Sequence, residues 1–253
     1  MRISLLQSTL VWEDIPANLA AFEQRISALP DTDLIVLPEM FSTGFTMRPN
    51  RVAEPMDGQT VNWMKAMAAK TGAALCGSAV IEVDGKYFNR CLFVHPTGEV
   101  VHYDKRHLFT LAGEDEAFTA GREKLIVTYK DFRICPLVCY DLRFPVFSRN
   151  VEAYDLLIYV ANWPEPRVSA WDALLKARAI ENMSFAVGVN RVGKDGNGQC
   201  YVGHSQVFDM LGNPMGNSSE DEAIINVSLD KGALLEARQK FGFLNDRDTF
   251  TVV

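Results

Sequence analysis

A chain of 253 residues with 48% hydrophobic and 23% charged side chains has material for one large core, which excludes a disordered or fibrous protein. Its 25 basic residues stand against 32 acidic ones, and the net charge of −7 argues against a partner that is nucleic acid. The first apolar patch is cut by Gln7 and ends in Glu13 and Asp14, and no run approaches about 18 apolar residues, so a cytoplasmic location without membrane contact is expected.

The run Ile3 to Leu6 reads as a strand, and Ile15-Pro16 starts a helix with Leu19, Phe22, Ile26 and Leu29 at helical spacing. Leu34 to Leu37, apolar throughout and bracketed by Asp33 and Pro38, reads as a strand buried on both faces. A helix around Val61 to Lys70 stops at Gly72, and Ala73 to Val83 is strand-like. Two hairpins are expected. Cys91 to Val94 and Val100 to Tyr103 flank Pro96-Thr97-Gly98, while Ser205 to Phe208 and its continuation flank Leu211-Gly212-Asn213-Pro214. Ile134 to Val138, Leu156 to Val160 and Phe185 to Val189 are further buried strands. The helix Ser169 to Met183 carries Trp171, Leu174, Leu175 and Ala179 on one stripe, and Arg178, which intrudes on it, needs a carboxylate such as Glu181. No linker, repeat or low-complexity tract interrupts the chain, so residues 1–253 read as one domain. Strands alternating with helices, with hairpins added, predict a layered α/β fold with mixed sheets.

In open α/β sheets, ligands gather beyond the carboxyl ends of the strands. Three reactive side chains follow apolar runs there: Glu39, Lys105 and Cys139. Cysteine is a strong nucleophile once a base or a cation assists it, and the junction after Val138 exposes a sulfur and backbone N–H groups together. A carboxylate at Glu39 suits taking the thiol proton and returning it to a departing amine, and Lys105 suits a developing oxyanion. The remaining cysteines, Cys76, Cys91, Cys135 and Cys200, read as packing residues.

The words around these residues are LPEMF at 37–41, YDKRHLF at 103–109, GEDEAFTAG at 113–121, VCYDLRFP at 138–145, ANWP at 161–164, ARAIEN at 177–182 and NRVG at 190–193. In that order they resemble the nitrilase superfamily of carbon–nitrogen hydrolases, over nearly the whole chain, and most of all its ω-amidase branch. The resemblance implies an αββα sandwich, mixed sheets flanked by helices, two subunits of which commonly pack as a homodimer or join a higher homo-oligomer. It also implies a Glu39–Lys105–Cys139 triad acting through a thioester, with the Tyr140 N–H completing the oxyanion hole. A second glutamate that positions the lysine matches Glu114, with Glu116 nearby. The substrates it implies are small dicarboxylic acid monoamides such as 2-oxoglutaramate and 2-oxosuccinamate. Nitriles, N-carbamoyl amino acids and larger acyl amides are the substrates of relatives with the same triad. The family often has Glu after RFP, where this chain has Val146. A relative without catalysis, serving binding or scaffolding, is the reading of a different class.

Four histidines, His95, His102, His107 and His204, raise a Cys–His alternative, but His107 within KRHL reads as a structural hydrogen-bonder. The Gly193 to Gly198 segment has neither phosphate-loop nor dinucleotide spacing and reads as a turn, and the cysteine and histidine spacings suit no metal or cofactor. Phe45 and Trp163 are candidate walls of a substrate pocket, and Arg143 and Arg149 are candidate partners for a substrate carboxylate.

Overall fold

The computed structural model describes residues 1–216 and 219–251. The first sheet takes β1 (Arg2–Gln7), β2 (Leu34–Val36), β3 (Ala74–Val83), β4 (Lys86–Val94) and β5 (Val100–Asp104). The second takes β6 (Val127–Tyr129), β7 (Phe132–Val138), β8 (Leu156–Ala161) and β9 (Phe185–Asn190), a ribbon follows as β10 (Val192–Lys194) and β11 (Cys200–Val202), and β12 (Gln206–Phe208) closes the second sheet. A last strand, β13 (Ala223–Ser228), returns to the first sheet beside β1, so the spatial orders are β13-β1-β2-β3-β4-β5 and β12-β9-β8-β7-β6. The helices are α1 (Ile15–Ser27), α2 (Pro49–Val52), α3 (Gln59–Thr71), α4 (Glu114–Ala117), α5 (Pro145–Ser148), α6 (Val168–Asn182) and α7 (Lys231–Phe241).

Alternation along the central strands assigns the layers. Ile3, Leu5, Leu34 and Val36 pack in one core with Ile134, Leu137 and Ile158 of the second sheet. Their neighbours Leu6, Ile35 and Leu37 pack on Leu19, Phe22 and Ile26 of α1 and Val61 and Met64 of α3. On the opposite side α6 lies so close to β9 that a Cβ at Gly188 would meet Leu175 Cδ1 at 2.4 Å, which makes glycine obligatory there. Helix, sheet, sheet and helix therefore follow one another, the αββα sandwich.

The α1 start is fixed by Asp14, whose side chain accepts the Ala17 N–H at 3.0 Å. Arg178 is paired as expected, with Glu181 at 2.9 Å. The first predicted hairpin joins β4 to β5. In the second, the turn closes through Asp209 N–H to Asn213 O at 2.9 Å, but the return arm makes only the bridge Phe208–Pro214, and 217 and 218 lie outside the described residues. Among the described residues no helix is long and apolar enough to cross a membrane.

The parallel pairs β1–β2–β3 and β7–β8–β9 set the site, because all their carboxyl ends lie at one edge of the sandwich. Glu39 lies three residues beyond β2, Lys105 follows β5, Cys139 follows β7 and Asn162 follows β8.

Candidate active site

The three sequence-predicted residues meet, and Glu114 joins them. Glu39, Lys105 and Glu114 are at most 1% exposed, and Cys139 is 9% exposed. Lys105 Nζ donates to Glu39 Oε1 at 2.8 Å and to Glu114 Oε1 and Oε2 at 3.0 and 2.8 Å. Burial alone would lower the affinity of this ammonium for its proton, but the Glu114 and Glu39 carboxylates outweigh it and hold the Lys105 pKa well above the ordinary lysine value. Burial pushes Glu114 upward, against the pull of Lys105.

Glu114 reaches the lysine because its loop turns back sharply. Gly121 donates its N–H to Lys105 O at 2.9 Å, and any Cβ there would fall 2.1 Å from Asp104 O. The Phe109 N–H then caps Glu114 Oε2 at 2.7 Å. Glu116 is exposed and takes no part.

Cys139 occupies a left-handed backbone conformation, φ 43°, and opens the one-and-a-half-turn 3₁₀ segment Cys139–Arg143. A non-glycine residue in that region stores roughly 1–3 kcal/mol of strain, and surrounding contacts must impose it. Asp141, wholly buried, imposes it here. Its Oδ2 accepts the Val138 N–H at 2.9 Å and the Tyr103 hydroxyl at 2.8 Å, and its Oδ1 accepts the His107 N–H at 3.1 Å and lies 2.7 Å from His107 Nδ1. One carboxylate thereby locks the turn bearing Cys139 to the strand end bearing Lys105. His107 is stacked on Phe144 with ring centroids 3.7 Å apart, in the structural role its sequence context suggests.

Burial, and then the Glu39 charge, raise the Cys139 thiol well above the ordinary cysteine value, with Lys105 opposing. The resting sulfur is therefore protonated at neutral pH, and reaction at sulfur requires a proton acceptor. The Cys139 Sγ contacts Asn162 O at 3.9 Å, and Glu39 is the carboxylate whose charge acts most strongly on that sulfur. Its Oε1 accepts from Lys105 and Asn89, while Oε2 accepts the Asn162 N–H at 2.8 Å.

Lys105 and Cys139 form the floor of a cavity of about 380 Å³, walled by Phe45, Phe109, Tyr140, Trp163 and Tyr201, with Glu39 and Glu114 buried behind them. Phe45 and Trp163 thus line it, and the Phe45 ring centroid lies 5.3 Å from Lys105 Nζ. Tyr140 is the second residue of the 3₁₀ segment, in the first turn, where backbone N–H groups have no partner within the helix. Arg143 lines the same cavity with its guanidinium 4.9 Å from the Trp163 ring centroid, whereas Arg149 is turned away and donates to Glu181 O. Arg167, unmarked by the sequence reading, also lines the cavity and stacks 5.2 Å over Phe109. Of the Gly193 to Gly198 segment, expected as a turn, Gly193 and Lys194 belong to β10 and residues 195–198 make the turn to β11, with Asp195 and Asn197 at the cavity wall.

Cys76, Cys91 and Cys135 are buried as expected, but Cys200 is half-exposed because it lies on the two-stranded ribbon rather than in a sheet covered on both faces.

The sequence matches the carbon–nitrogen hydrolase family over residues 2–239. It is 47% identical over 251 residues to omega-amidase YafV of Escherichia coli K12, an alignment covering 99% of this chain and 98% of that one. A 2-oxoglutaramate amidase of Bacillus subtilis is 30% identical over 219 residues, covering 85% of this chain and 84% of the relative. Among solved structures, a CN-hydrolase superfamily protein of Xanthomonas campestris with an arsenic adduct in its active site superposes with a TM-score of 0.98. It is 44% identical, and the match covers 100% of this chain and 99% of that one.

Proposed function

The chain belongs to the carbon–nitrogen hydrolase family, and from that premise we propose that it releases ammonia from the terminal amide of small 2-oxo dicarboxylic acid monoamides through a thioester on Cys139. The observation that carries this reading is the buried cluster in which Lys105 bridges Glu39 and Glu114 beside Cys139 on the floor of one cavity.

The chemistry follows from where each proton starts. Cys139 Sγ attacks the amide carbon while its proton passes to Glu39, and the oxygen that gains the negative charge is held by the Lys105 ammonium and the Tyr140 N–H. All three Lys105 contacts go to carboxylate oxygens at rest, two of them to Glu114. Giving one of that pair to the oxyanion leaves the lysine anchored by both glutamates. Collapse breaks the C–N bond as Glu39 returns its proton to nitrogen, and ammonia departs from the thioester. Water then attacks the thioester carbon, Glu39 takes a proton from it, and collapse breaks the C–S bond with the proton delivered to sulfur. Glu114 keeps Lys105 charged and in place throughout.

The substrate class rests on the cavity and on the relatives named omega-amidase and 2-oxoglutaramate amidase. A volume of about 380 Å³ suits a four- or five-carbon acid. Arg143 makes no ion pair among the described residues while facing the cavity, so its charge is available to a distal carboxylate. The expected order of kcat/KM is 2-oxosuccinamate and succinamate above a simple nitrile and an N-carbamoyl amino acid. A nitrile or carbamoyl compound turned over better than both monoamides overturns the substrate class and leaves the cysteine chemistry standing.

The cytoplasmic location and the homodimer or higher homo-oligomer belong to the same proposal, on the ground of composition and family resemblance. Light scattering is expected to give at least twice the mass of one chain, and a monomeric mass at micromolar concentration refutes the assembly.

A further inference from the structure

The cluster contains a fifth polar group that nothing in the proton transfers above uses. Asn89, in the middle of β4, is wholly buried, and its Nδ2 donates to Glu39 Oε1 at 2.8 Å and to Glu114 Oε1 at 3.0 Å. An amide in such a place is free to present either its oxygen or its nitrogen. Here the two carboxylates decide, because they only accept and so draw the nitrogen, and Ser78 completes the arrangement by donating its hydroxyl to Asn89 Oδ1 at 2.9 Å. Ser78 Oγ in turn accepts the Met40 N–H at 2.8 Å. Met40 follows Glu39 with φ 43°, so the loop of contacts closes on the residue it serves. The Asn89 backbone joins as well, its carbonyl accepting the Lys105 N–H at 3.0 Å.

The acceptor directions can be counted, two to each carboxylate oxygen. Glu114 Oε1 receives Lys105 and Asn89, and its Oε2 receives Lys105 and the Phe109 N–H. Glu39 Oε1 receives Lys105 and Asn89, and Oε2 receives the Asn162 N–H, which leaves one direction of Oε2 for the thiol of Cys139. Two buried carboxylates share one ammonium, and Asn89 supplies the second bridge between them.

We infer that Asn89 is a positioning residue for this reaction, its two amide hydrogens holding the Glu39 and Glu114 carboxylates apart on Lys105 so that the remaining acceptor direction of Glu39 faces Cys139. The inference rests on the proposed role of Glu39 as the proton acceptor. Its consequence concerns pH as well as rate. The charged groups facing Glu114 are Lys105 and Glu39, with Cys139 beside them, while Asp115 and Glu116 on its own helix are exposed. Burial and the Glu39 charge favour the protonated form of Glu114, and Lys105 and Asn89 oppose it. Without Asn89, Glu114 takes up its proton at higher pH as the solution is acidified, and a protonated Glu114 holds Lys105 less well.

Asn89→Ala is expected to lower kcat roughly 10- to 100-fold, the effect of losing hydrogen bonds to charged groups, with KM changed by less than about threefold because Asn89 does not line the cavity. The acid limb of the kcat/KM profile is expected to move to higher pH. Ser78→Ala, which leaves the buried Asn89 Oδ1 without its donor and so weakens the hold on the amide, is expected to shift the limb in the same direction by a smaller amount, and it provides the test should Asn89→Ala fail to fold. A uniform loss at every pH, matched by a smaller fraction of Cys139 that alkylates, identifies mere structural damage and overturns the inference, as does an unchanged acid limb in folded Ser78→Ala. Failure of the underlying reading is separately visible, as full activity in Glu39→Gln.

Discussion

Cys139→Ala is expected to abolish ammonia release, by a factor on the order of 10⁶ if the covalent route carries the turnover, since removing a nucleophile that acts in concert with its base costs about that much. The substitution removes only a sulfur on the cavity floor, and the left-handed turn stays pinned because the Asp141 contacts to Val138, Tyr103 and His107 do not involve the side chain removed. The fold is therefore expected to survive, with an unchanged circular dichroism spectrum. Intact mass after mixing wild-type chain with succinamate should show the acyl adduct, and the variant should show none. Iodoacetamide adds a check on the same atom. Cys76, Cys91 and Cys135 are wholly buried and out of the reagent's reach, whereas Cys139 opens onto the cavity. Cys200 is half-exposed and labels independently, so the experiment belongs in a Cys200→Ser background, where one alkylation event should accompany complete loss of activity. Retention of more than a few per cent of activity in Cys139→Ala, or an acyl adduct on it, sinks the thioester mechanism.

The central strands were legible because burial on both faces leaves unbroken apolar runs, as in Leu34 to Leu37 and Ile134 to Val138, and chemistry-bearing residues stand out where such runs stop. Glu39, Lys105 and Cys139 were found that way. Asn162 sits at the same kind of place, directly after β8, and the strand-end rule applied to it would have revealed the N–H that holds Glu39. Asn89 left no such trace. It lies within a strand, between Phe88 and Arg90, and its importance comes from a register with β3 that sets it beside Ser78. Edge elements were missed for another reason: β6 and β13 are short or half-exposed, so their patterns are not continuous. The β3–β4 hairpin did carry a local signal, Asp84-Gly85 with φ 51° and 72°, the pair that a two-residue turn between twisted strands requires. Asp141 depends on tertiary approach alone, since its partners Tyr103 and His107 lie more than 30 residues away in the chain.

Glu39→Gln is the second substitution from which a very large effect is expected, a loss of roughly 10²- to 10⁴-fold in kcat for a group that moves the proton in both halves of the reaction. Glutamine keeps the size but must place an NH₂ where an oxygen accepted. Its oxygen belongs on the side of Lys105 and Asn89, which both donate, so the NH₂ faces the Asn162 N–H and Cys139. The thiol proton then has no acceptor. Lys105 retains two contacts to Glu114, so the buried ammonium keeps a counter-charge and the fold should hold. The sign of the change at sulfur separates this outcome from a collapsed site. The Glu39 charge is one of the influences that raise the Cys139 thiol, after burial, and Lys105 is the one that lowers it. Replacing Glu39 with a neutral group removes one of the influences that raise the thiol while burial and Glu114 still act against Lys105, so the apparent pKa for alkylation of Cys139 should move down while turnover falls. In the Cys200→Ser background, the pH dependence of iodoacetamide labelling reads the first and ammonia release reads the second. Near-normal ammonia release in folded Glu39→Gln contradicts its role as proton acceptor, and a Cys139 that no longer alkylates at any pH points to a damaged site instead of a missing base.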